Sequence, residues 1–152
     1  MHFSIPLLIS AVLTLSQYAN AEGLVGMKVP ASITPGHEFN VTYSWTDGLS
    51  YNQDYLAIFG FTSNVERIKG KYSIGSQALA TADLSKANYD NKFNVTIRAP
   101  NHKWFKIYAD VNNGTLPQPW YVSSANMQQT GSSGGVRLEV FHAKTTVKYD
   151  HH

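Results

Sequence analysis

The chain has 152 residues, no cysteine, a formal net charge of +2, and 43% hydrophobic and 12% aromatic residues. Zero cysteine excludes disulfides, Cys-ligated zinc, iron–sulfur clusters and a thiol nucleophile. The small charge, with no basic run, argues against nucleic acid or a strongly acidic surface as partner.

The first element is an apolar run over 3–15, followed by a polar stretch that ends in Ala19-Asn20-Ala21. This is the layout of a cleavable secretory signal: an apolar core too short to span a bilayer comfortably, then small residues ahead of the cut. Cleavage is expected between Ala21 and Glu22. The chain then divides into a signal at 1–21, a β domain at 22–143 and a C-terminal tail at 144–152. No later segment is apolar enough to span a membrane, so the product is expected to be secreted, extracellular and not membrane-bound.

Residues 24–29 read as a first strand, closed by Pro30. Phe39, Val41, Tyr43 and Trp45 then alternate with Glu38, Asn40, Thr42 and Ser44, the period-2 pattern of a half-buried strand. Residues 55–61 are apolar on both faces, which predicts a central strand. Residues 68–74 are a weaker strand candidate, and 76–86 admits either a short helix or an edge strand.

Phe93, Val95 and Ile97 alternate with Asn94, Thr96 and Arg98. A third pattern of this kind runs through Phe105, Ile107, Ala109 and Val111. Residues 120–123 are a weak candidate. The last strand is expected to bury Val136, Leu138 and Val140 and to turn Arg137 and Glu139 outward. Turn residues punctuate these segments at 34–36, 46–48 and 112–114, and the Gly-rich 131–135 reads as a hairpin loop. Seven to eight short strands without a convincing amphipathic helix predict an all-β, immunoglobulin-like sandwich.

Three sequons mark candidate N-glycosylation sites at Asn40, Asn94 and Asn113, meaningful in an exported chain. Catalytic residues are not apparent. The serines have no evident His/Asp partners, the carboxylates form no pair with glycosidase spacing, and no histidines stand at metal-ligand spacing. His151-His152 beside Asp150 reads as a tail end rather than a metal site. The expectation is therefore a non-enzyme with no cofactor and no metal. Trp120 and Tyr121, after the stiff 116–119 loop, and Tyr51 are candidate partner-binding aromatics. The competing use of such residues is to fill the core.

Gly26-Met27-Lys28-Val29-Pro30, Ile33-Thr34-Pro35-Gly36 and Phe39-Asn40, together with Tyr51-Asn52-Gln53-Asp54 and Ala57-Ile58-Phe59-Gly60-Phe61, give the chain a resemblance. It resembles the fungal necrosis-inducing secreted protein family, and strands at 95–100 and 106–111 fit that family's order. The resemblance covers most of the mature chain; the turn at 101–104, the 131–135 loop and the histidine-ended tail depart from it. It implies a cysteine-free immunoglobulin-like effector that suppresses plant pattern-triggered immunity or induces cell death by binding host immune receptor-like kinases. It leaves open whether the protein stays outside cells or enters them, and it implies no catalytic residues. The alternative reading is a secreted carbohydrate-binding or adhesion module of the cell wall, built on exposed aromatics.

Overall fold

A computed structural model describes residues 23–46, 52–75, 78–85, 92–108, 116–130 and 135–149. The expected signal with Ala21 and Glu22, Tyr51, Asn113 and residues 131–134 of the Gly-rich loop lie outside the described residues. Among the described residues are eight strands: β1 (Gly23–Lys28), β2 (Ser32–Ile33), β3 (Glu38–Thr46), β4 (Asn52–Thr62), β5 (Ala78–Asp83), β6 (Lys92–Arg98), β7 (Trp120–Thr130) and β8 (Gly135–Val147). They form a three-stranded sheet, β1-β3-β6, and a five-stranded sheet, β2-β8-β7-β4-β5. Every pairing is antiparallel except the short parallel contact of β2 with β8. The protein is a β-sandwich of immunoglobulin-like type, as the strand spacing predicts.

The core forms where the two inner faces meet. β3 contributes Phe39, Val41, Tyr43 and Trp45, and β4 contributes Ala57, Phe59 and Phe61. β6 adds Ile97, and β7 adds Trp120 and Val122. All but Ala57 are β-branched or aromatic side chains that suit a pleated, half-buried surface, and each large one contributes about 1.5–3 kcal/mol on burial. β4 is paired at both edges, by β7 and β5, and its inner face is buried in the core. Its outer face is also partly roofed. A Cβ on Gly60 would meet the carbonyl oxygen of Ile74 at 2.0 Å, so only glycine lets the 70–75 segment lie this close.

Three expectations are corrected, and one left open is resolved. The strand expected over 105–111 is replaced by helix α1 (His102–Tyr108). Asn101 accepts the Trp104 N–H on its side chain (2.9 Å) and the Phe105 N–H on its carbonyl (3.2 Å), which is an N-cap. α1 then drives Phe105 into an aromatic cluster with Phe61, Trp104, Trp120 and Tyr149. Residues 68–74 form no strand; a 3-10 turn (Val65–Ile68), capped by Asn64, leads into a bend. The undecided 76–86 segment supplies β5, the edge strand beside β4.

The tail boundary at 143/144 falls inside β8, which runs on to Val147 and buries that side chain. The Gln118 side chain fixes this end. Its amide nitrogen donates to the Val147 carbonyl (3.0 Å) while its oxygen accepts the Val147 N–H (3.2 Å). No helix among the described residues is long and apolar enough to cross a membrane.

Candidate functional site

The two outer faces of the sandwich differ in chemistry. On the three-stranded sheet the outward residues of β3 and β6 are Glu38, Asn40, Thr42 and Ser44 against Arg98, Thr96, Asn94 and Lys92. Glu38 and Arg98 pair at 3.2 Å. The two described sequons face one another here. Thr42 donates its hydroxyl to the Asn94 carboxamide oxygen (2.7 Å), and Thr96 donates to that of Asn40 (2.9 Å). Each sequon's threonine thus holds the other sequon's asparagine. The carboxamide nitrogens, where an N-linked glycan attaches, take no part in these bonds.

The outer face of the five-stranded sheet carries an apolar patch. β4 places Leu56 and Ile58 there, β7 places Ala125 and Met127, and β8 places Val136, Leu138 and Val140. Met127 is 45% exposed, Leu138 directly opposite it is 41% exposed, and Val136 is 65% exposed. This reverses the predicted orientation of β8. The register sets Arg137 opposite Gln128 and Glu139 opposite Asn126, both fully buried on the inner face.

Arg137 Nε donates to Gln128 Oε1 (2.9 Å) and lies 3.1 Å from Glu139. Tyr43 Oη is 2.6 Å from Ser124 Oγ and 3.3 Å from Asn126 Oδ1, which also accepts from Ser124. This end of the interior is therefore polar, and its polarity turns the valines and the leucine outward. Asn126 Nδ2 and Gln128 Nε2 have no hydrogen-bond partner.

The remaining predicted positions scatter. Trp120 is only 2% exposed, stacked on Phe61 at 4.7 Å and 14°. It fills the core and cannot serve as an exposed binding anchor. Tyr121 is half-buried beside Lys144 on the outer face. The fold does create one Ser/His contact that sequence spacing hid: Ser123 Oγ lies 2.7 Å from His142 Nδ1 across the β7–β8 ladder. Ser123 is fully buried, so its hydroxyl is closed to a substrate. Partial burial lowers the His142 pKa from its ordinary 6.5. No group of three or more His, Cys, Asp or Glu capable of holding a metal occurs among the described residues.

No curated protein matches the sequence. Likeness to solved structures is weak. Superoxide reductase (neelaredoxin) from Ignicoccus hospitalis is 8% identical with a TM-score of 0.43, covering 82% of each chain. The sulfur carrier protein SoxY from Chlorobium limicola f thiosulfatophilum is 12% identical with a TM-score of 0.35, covering 96% of this chain and 100% of that one. At these values neither bears on chemistry or partners. The sequence itself is more specific, since the model of the Nis1 family matches residues 19–146. The resemblance carried by 26–40 and 51–61 therefore extends over most of the chain, and the protein belongs to the Nis1 family, a fungal effector-type family.

Proposed function

We propose that this protein is a secreted fungal effector that works by binding rather than by catalysis, and that its partners are plant immune receptor-like kinases. Its action is suppression of pattern-triggered immunity, induction of cell death, or both. The observation that carries the reading is the division of the surface. One outer face is uniformly polar and bears two sequons; the other gathers Met127, Val136 and Leu138, three of the large apolar side chains exposed among the described residues. Apolar side chains clustered on one face mark a contact surface, and membership of the Nis1 family supports the effector role.

Glycans at Asn40 and Asn94 sit on the far sheet and leave this face free. The carbohydrate-binding alternative loses its main support with Trp120 in the core. The test is a pull-down of plant immune-kinase domains with the secreted chain and with Met127→Asp. Retention by the native chain and a loss of roughly tenfold or more in the variant are expected, since a central apolar contact replaced by a charge costs about 2 kcal/mol or more. No retention of any kinase domain by the native chain would sink the proposal.

A further inference from the structure

We propose that the open edge of β8 pairs with the same edge of a second copy, antiparallel about Leu138, to form a two-fold dimer with one continuous sheet. The edge can be assigned from hydrogen bonds at the strand's end. The Thr146 N–H donates to the Ala31 carbonyl and the Lys148 N–H to the Ile33 carbonyl, both at 2.9 Å. Backbone groups alternate sides along a strand, and the β7–β8 register runs from Trp120↔Thr145 to Thr130↔Gly135 without a shift.

Val136, Leu138, Val140 and His142 therefore point N–H and C=O to that same side. β2 covers only Thr146 and Val147 there. Among the described residues nothing pairs with the backbone of the other four. A long open edge is ordinarily guarded by proline, lysine or a bulge. β8 contains no proline and no bulge, and its lysine at 144 stands beyond these four residues.

The side chains name the partner. Val136-Arg137-Leu138-Glu139-Val140 is self-complementary when laid antiparallel on itself about Leu138. Leu138 faces the second copy's Leu138, and Val136 faces the second copy's Val140, so the apolar outer face continues across the axis. On the inner side Arg137 falls opposite the second copy's Glu139, and Glu139 opposite the second copy's Arg137. These are non-hydrogen-bonded positions, where opposed side chains approach most closely. Inward charges that would repel a generic strand thus admit this one. The sequon-bearing face belongs to the other sheet, so glycans at Asn40 and Asn94 do not obstruct the contact. The dimer does not depend on the kinase reading: it uses the β8 edge, whereas the kinase test uses Met127.

Sedimentation equilibrium of the secreted chain is expected to show a concentration-dependent dimer. Arg137→Glu and Glu139→Arg each place like charges opposite one another twice, and each is expected to raise the dissociation constant by roughly tenfold. An equimolar mixture of the two variants restores opposite-charge pairs and is expected to dimerise as the native chain does. Hydrogen exchange at the Val136, Leu138 and Val140 amides of the native chain is expected to slow as concentration rises. A native chain that stays monomeric, variants that dimerise as before, or a mixture that stays monomeric would each overturn the proposal. Exchange at these amides that ignores concentration would do the same without any variant.

Discussion

Trp120→Ala removes the largest side chain that is fully buried. The indole stacks on Phe61 at 4.7 Å and meets the edges of Phe105 at 5.2 Å and Trp104 at 6.1 Å. Truncation of such a residue costs about 3–5 kcal/mol through lost transfer energy and the cavity left behind. That is a fifth or more of the roughly 5–15 kcal/mol that holds a domain together. At this chain size a loss of about 4 kcal/mol lowers Tm by roughly 12–16 °C. Trp120→Phe should behave differently. It keeps a ring against Phe61 and deletes the indole N–H, which has no partner in the core. An unsatisfied buried donor costs about 1–3 kcal/mol, so its removal offsets the smaller ring, and the net change should stay within about 1 kcal/mol. Thermal unfolding followed by circular dichroism checks both. An alanine variant melting within about 3 °C of the native chain would refute the core role. So would an alanine variant that keeps its melt but loses retention on polysaccharide.

Gly60→Ala sets a Cβ 2.0 Å from the Ile74 carbonyl oxygen. It should destabilise by about 2–3 kcal/mol, read as a urea midpoint shift with unchanged slope. His142 has its pKa lowered in the fold by desolvation, so the unfolded chain binds the extra proton first. Stability should therefore be full above 6.5 and fall as pH drops through that value toward the lower folded pKa; a pH series of melts should show this slope, and His142→Gln should flatten it. Glycosidase treatment of the chain secreted from a eukaryotic host should increase gel mobility. Asn40→Gln and Asn94→Gln should each remove one glycan, and unchanged mobility throughout would refute occupancy.

Much of the sandwich is legible in the sequence because period-2 alternation is a local property. Phe39 to Trp45 and Phe93 to Ile97 alternate between core and solvent, and the structure buries the expected side of β3. Alternation separates two faces without saying which one is inside. At Val136, Leu138 and Val140 the answer came from across the ladder, where Asn126 and Gln128 make the inner face polar. The 105–111 segment departs from its alternation for another reason. Trp104 to Tyr108 is apolar enough to fit either period, and the deciding signal was the cap at Asn101 after Pro100. For the candidate site, the sequons were readable as triplets, but their mutual hydrogen bonding depends on the β3–β6 register. Trp120 could not be placed because its partners Phe61 and Phe105 come from distant segments.

The pairing of β2 with the end of β8 also sets an order on the birth of the molecule. Thr145 donates to the carbonyl of Pro30, a residue 115 positions earlier, and the neighbouring backbone bonds join Ala31 to Thr146 and Ile33 to Lys148. Contacts between such remote positions close late and slowly. A nascent chain carries the β2 segment without its partner until Thr146 and Lys148 have been made and have left the ribosome. The larger sheet therefore cannot be completed before the end of β8 is available to β2.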